Sequence, residues 1–192
     1  MSETPTIHAN CVLCGERGIL IRGASGSGKS GFSAALIDRA RAAGLFARLV
    51  GDDRLYLDAA HGRLIARGHP RLAGLMERRG LGITLEAFAT EAVVGLVVDL
   101  AADPERLPSS DALQTEVAGV ALPALRLDPR DPEAPGHALK RLELGFKDPD
   151  CDRFALAFAP QHEKIARSAS TDASDAPPAA QRRRASDLPG AQ

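Results

Sequence analysis

The chain has no tryptophan, one tyrosine and six phenylalanines, so aromatic residues make up 4% of its 192 positions. Any core must therefore be built from Leu, Val, Ile and Ala. It has almost no net charge, −1 by formal count, which excludes a general electrostatic pull toward nucleic acid or an anionic membrane. No apolar run reaches the length of a membrane span. The opening MSETPTIHAN lacks the basic and apolar regions of a secretory signal, so a cytoplasmic location is expected. There is no internal repeat. Cysteine is rare and odd in number: Cys11, Cys14 and Cys151. Cys11-x-x-Cys14 has the spacing of half a metal site or a redox pair. No second pair or histidine stands at matching distance, so buried structural thiols are expected. Hydrophobic content of 44% and charged content of 26% are those of a soluble domain of this length.

The most informative segment is Gly23-Ala24-Ser25-Gly26-Ser27-Gly28-Lys29-Ser30, which fits G-x-x-x-x-G-K-[ST]. Its context fits as well. Gly18 to Arg22 before it suits a buried strand. Ser30 to Ala43 after it is a helix, with Phe32, Ala35, Leu36 and Ala40 at helical spacing and Gly44 as the stop. Strand, glycine loop and helix N-terminus make a phosphate cradle from backbone N–H groups and the helix dipole. A nucleotide triphosphate is the implied ligand. Lys29 can reach the β- and γ-phosphates, and the Ser30 hydroxyl can ligate Mg²⁺. Without nucleotide, Lys29 is expected to stand in solvent.

The remaining pattern gives an α/β domain. Strands are expected over Ile7 to Leu13 and Phe46 to Val50. A hairpin is expected from Arg54 to Asp58 and Arg63 to Arg67, and a central strand from Ala92 to Leu100. Ala112 to Val120 and Leu122 to Leu127 read as further strands, Asp128 to Gly136 as a loop, and Ala138 to Leu144 as a closing strand. From about Ala159 the hydrophobic period is lost, which predicts a domain over residues 1–158 and a disordered polar tail over 159–192. The run Arg182-Arg183-Arg184 in that tail reads as a solvated segment.

Phosphoryl transfer needs a carboxylate beside the cradle. Asp52 and Asp53 follow the Phe46–Val50 strand, where such a group is expected. Neighbours on an extended chain point to opposite sides, so one of the pair is expected to face the phosphate.

These residues, with three further stretches, resemble the catalytic domain of HPr kinase/phosphorylase. The stretches are Thr6-Ile7-His8-Ala9, Val50-Gly51-Asp52-Asp53, and Met76-Glu77-Arg78-Arg79-Gly80-Leu81-Gly82-Ile83, which is close to a signature Glu-Ile-Arg-Gly-Leu-Gly-Ile. The resemblance implies a phosphate-loop fold related to phosphoenolpyruvate carboxykinase. It implies an ATP- and Mg²⁺-dependent serine kinase, also able to remove the phosphate, whose substrate is an HPr-type phosphocarrier protein. It implies that Asp52, Asp53, His8 and Lys29 are catalytic, with one Asp taking the serine proton. Ser30 and Glu77 would serve the metal, and Arg79 with the backbone of Gly80 and Gly82 would set the signature against the phosphates. On its own, Glu77 is an ordinary charged residue among arginines. A homo-oligomer, a hexamer by resemblance, and a short form without the family's N-terminal domain are also implied. The family's two-arginine Pro-Val-Arg-Pro-Gly-Arg-Asn clamp has its nearest counterpart at Leu125 to Asp131, where Arg130 stands for one arginine. The HPr-contacting C-terminal helices are not recognisable. The rival readings are a phosphate-loop kinase for a small molecule and a nucleotide-binding regulator with little catalysis.

Overall fold

A computed structural model describes residues 6–143. The expected tail, Cys151 and the arginine run lie outside the described residues. Ten strands and two helices follow in order: β1 (Asn10–Cys14), β2 (Arg17–Arg22), α1 (Lys29–Ala42), β3 (Ala47–Gly51), β4 (Leu55–Ala60), β5 (Arg63–Gly68), β6 (Leu75–Arg78), β7 (Gly82–Leu85), β8 (Glu91–Leu100), β9 (Gln114–Val117), β10 (Val120–Leu127) and α2 (Ala134–Glu143).

The central sheet runs β3-β1-β2-β8-β10-β9, and β6 and β7 form a separate two-stranded ladder. Strands β2 and β10 both lie parallel to β8, whereas β1 is antiparallel to β2 and to β3. The long strand β8 serves two ladders. Its first residues pair with β5, and its later ones with β2 and β10. Its middle is covered on both faces, with Leu96, Val97 and Val98 all buried, so this stretch has no polar side to show.

Alternate side chains divide the core into two layers. Val12, Ile19, Ile21, Leu49, Leu96 and Val98 meet Phe32, Leu36, Ile37 and Ala40 of α1 and Ala138 and Leu139 of α2. Cys11, Leu20, Val50 and Val97 face the other way, with Leu55, Leu64 and Ala66 of the β4–β5 hairpin. Leu36 is fully buried, so Leu36→Ala should cost about 2–5 kcal/mol. Cys11 and Cys14 differ in parity along β1 and fall in opposite layers. They are free and buried, as expected. Burial pushes the Cys14 thiol up to about 12 and raises Cys11 as well.

The sequence reading needs three corrections. Ala138 to Glu143 is not a closing strand, and the loop expected to run to Gly136 gives way to α2 at Ala134: Ala134, Ala138, Leu139 and Leu142 lie along one side of α2, which packs on α1 and β8. Pro135 sits in the first turn, where its missing N–H costs nothing. The first strand begins at Asn10 rather than Ile7, and His8 lies in a bend beside a lone bridge from Ile7 to Leu55. The segment read as one strand from Ala112 is a 3-10 turn (Asp111–Leu113) followed by β9.

Candidate active site

The loop from Gly23 to Gly28 joins β2 to α1 as predicted. Gly28 has φ +91° and no side chain caps the helix start. A residue with a Cβ would be strained there, and the first N–H groups of α1 are left for an anion. The Ser27 hydroxyl oxygen is buried without a partner, a state that a phosphate oxygen would relieve. Residues Ser25 to Ser30 line an open cavity of about 620 Å³, together with His8, Asp53, Glu77, Arg79 and Arg130.

Lys29 does not stand in solvent. It is 4% exposed, and its ammonium donates to the carbonyls of Gly23 (3.3 Å) and Ala24 (3.1 Å). A buried ammonium without these acceptors would be costly, so the loop holds its own cation in place. Gly23 and Ala24 thus act through their carbonyls.

The two aspartates occupy unlike environments. Asp52 is 7% exposed. It accepts from the Ser30 hydroxyl at 2.9 Å, from the Glu77 backbone N–H at 3.1 Å and from the Asn10 amide. Burial raises its pKa. The bonds from Glu77 and Ser30 oppose this, the neighbouring Asp53 charge adds to it, and the Asn10 bond opposes it. Asp53 is about half-exposed; its Oδ1 lies 2.8 Å from His8 Nε2 and 4.0 Å from Lys29 Nζ. The pair separates as expected, though not by strand alternation. The strand ends at Gly51, and Asp53 has φ +63°, a left-handed conformation. Its N–H is held by the Asn10 side-chain oxygen at 3.0 Å.

The signature stretch is the β6–β7 hairpin. Met76 is fully buried, and Arg78 pairs with Glu86 across the ladder. Glu77 and Arg79 reach the cavity. Gly80 and Gly82, both at φ +81°, shape the turn and are not among the residues lining the cavity. Arg130 lines the cavity, but its guanidinium is engaged by Asp128 and by the carbonyl of Ala102.

Ser30, Asp52 and Asp53 offer hard oxygen donors of the kind Mg²⁺ takes. Among the described residues no group of three or more His, Cys, Asp or Glu could form a metal cage. Mg²⁺ is usually held by one or two protein oxygens and the phosphates of its nucleotide.

Sequence reasoning missed two participants, Asn10 and Ser33, and left unremarked the acid Asp99, which lines a different cavity. Asn10 is fully buried between the aspartates. Ser33 accepts from Asn10 and donates to the Lys29 carbonyl. Asp99, at the end of the parallel neighbour of β2, holds a position from which phosphate-loop proteins often present a metal acid. Here it is bound in a fork by Arg22, both contacts at 2.7 Å. Asn10 gave no signal, since a lone Asn on a strand has many uses. Asp99 was legible as an apolar run ending in an acid.

A family model described as the HPr serine kinase C-terminal domain matches residues 1–128. An HPr kinase/phosphorylase of Mycoplasma mycoides subsp. mycoides is 36% identical over 120 residues, covering 58% of this chain and 36% of that protein. The chain thus spans about a third of that relative's length. The solved structure of the Hpr(Ser) kinase/phosphatase from Coxiella burnetii matches with a TM-score of 0.58 and 27% identity, over 73% of this chain and 97% of that one. Among the described residues no helix is long and apolar enough to cross a membrane. The cradle, Asp53 and the signature hairpin meet in one cavity on a fold of this kind, and the chain belongs to the HPr serine kinase C-terminal domain family.

Proposed function

We propose that this protein is a cytoplasmic, ATP-dependent kinase that phosphorylates a serine of an HPr-type phosphocarrier protein. The observation that carries this reading is Asp53: a carboxylate in the cavity, 2.8 Å from His8 and 4.0 Å from Lys29. Asp53 accepts the proton of the attacking serine hydroxyl. The Ser25–Ser30 backbone and the start of α1 hold the phosphates, and Lys29 neutralises charge that builds on the transferring group. Mg²⁺, held through Ser30 with Asp52 behind it and Glu77 at the rim, would supply charge neutralisation on the phosphates. Arg79 and His8 line the same cavity, within reach of the phosphates the loop would hold. A homo-oligomer, hexameric by resemblance, is part of the same proposal.

The reverse reaction, attack of inorganic phosphate on phosphoserine, brings two anions into one site and requires strong cationic clamping. Arg130 is engaged by Asp128, and Arg126 lines a different cavity. The phosphorylase direction is therefore the weaker one. The test is mass spectrometry of HPr after incubation with this protein and Mg-ATP. A gain of one phosphoryl group on a serine supports the reading. Transfer only to a small acceptor, or nucleotide binding without transfer, would overturn it.

A further inference from the structure

Asp53 stands in the left-handed region at φ +63°, which aspartate tolerates better than most side chains but which is still a minority conformation for it. A hydrogen bond to its N–H selects that conformation here. Among the described residues the side chain that reaches this N–H is Asn10, at 3.0 Å. Asn10 is fully buried, and all of its amide is engaged. One N–H goes to Asp52, the other to Ser33 Oγ at 3.1 Å, and the oxygen takes the Asp53 N–H. Ser33 in turn donates to the Lys29 carbonyl at 2.8 Å. The amide cannot be reversed without setting donor against donor, so its orientation is fixed by its partners. It links the first strand, the Asp52 carboxylate, the Asp53 backbone and the start of α1.

We propose that Asn10 is the positioning residue of this site, holding Asp53 in its left-handed turn so that the carboxylate faces His8 and Lys29. A fully satisfied buried network of this kind rigidifies what it touches. Asn10 does not line the cavity and touches no substrate; it acts through Asp53. The inference rests on the reading of Asp53 as the base.

The experiment is a double-mutant cycle on phosphotransfer to HPr, with Asn10→Ala, Asp53→Asn and the pair. Asn10→Ala should lower the transfer rate about tenfold to a hundredfold while the nucleotide dissociation constant moves less than about threefold. In the Asp53→Asn background the same substitution should cost less than about twofold, because the group it positions is already gone. A merely structural asparagine would give the full cost in both backgrounds, and that additivity would overturn the inference while leaving the base intact. An Asp53→Asn variant at wild-type rate would overturn both. Should Asn10→Ala fail to fold, Asn10→Ser keeps a hydroxyl for Asp52 but lacks the reach for the Asp53 N–H. A crystal structure of that variant gives a readout independent of activity. Asp53 should leave its left-handed conformation and lose contact with His8; an unchanged turn would overturn the proposal.

Discussion

The floor and the rim of the cavity are built on different principles. The floor is the layer beneath the lining: Lys29, which lines the cavity, with Asn10, Ser33 and Asp52, which do not; these are the four buried polar or charged side chains among the described residues. Each is held by hydrogen bonds to its neighbours. The rim is His8, Asp53, Glu77, Arg79 and Arg130, none of which is buried. Floor groups are desolvated, so removing one leaves its partner unpaired and costs stability as well as function. Rim groups stay in water when the site is empty. Their loss should touch the reaction and leave the fold alone. The difference also separates two neighbours in sequence: Asp52 belongs to the floor and Asp53 to the rim.

The sharpest test of that division is Lys29→Met. Transfer should fall by about a thousandfold or more, since the charge acts on the transferring group in a desolvated site. The carbonyls of Gly23 and Ala24 lose their donor, so the melting temperature should also move by several degrees for a cost of roughly 1–3 kcal/mol. A variant inactive but with unchanged melting would show that Lys29 belongs energetically to the rim. Asp53→Asn is the matching rim test. It should lower the rate roughly a hundredfold or more, as for loss of a general base. Circular dichroism, melting temperature and nucleotide affinity should stay put.

Asp52→Asn should act through the metal. Asp52 stands behind Ser30, and loss of such a supporting partner typically costs about tenfold to a hundredfold in metal affinity or activity. The rate should be partly restored by raising Mg²⁺, with the activation curve displaced to higher concentration. Equal losses at all Mg²⁺ concentrations would move Asp52 out of the metal's shell. Glu77→Gln, on the rim, should displace the same curve less, because its carboxylate is exposed while its backbone N–H still serves Asp52.

What the sequence made legible follows the same division. The cradle is local: eight consecutive residues with a strand before and a helix after, each signal contained in its own window. The Asp pair was visible because it ends an apolar strand. The floor was not, because Asn10 meets Ser33 and Asp52 across 23 and 42 residues of chain, a distance no spacing rule spans. The rim position of Asp53 depends on a left-handed residue that propensity does not announce. Helix α2 was misread because HALKRLEL alternates loosely over its last residues. The helical set becomes clear only when Ala134 is counted with Ala138, Leu139 and Leu142. The β6–β7 hairpin lacked strand signals, since Arg78, Arg79 and Gly80 break any period of two.

The smallest expected effect concerns how tightly the floor is closed. Cys11 follows Asn10 on β1 and is fully buried, and Cys14 ends the same strand. The thiolate is the nucleophile toward alkylating reagents, and burial holds Cys14 up at about 12 and Cys11 raised as well. At pH 8 a thiol so shifted reacts roughly a thousandfold more slowly than a free cysteine even before access is counted. Native protein treated briefly with iodoacetamide should therefore give unmodified Cys11 and Cys14 peptides by mass spectrometry, while denatured protein should be labelled at both. Because the two sulfurs lie in opposite core layers, oxidation should not join them either. Rapid labelling of Cys11 alone would mean that β1 opens on its own. The strand that carries Asn10 would then be loose, and the floor could not hold Asp53 in its turn.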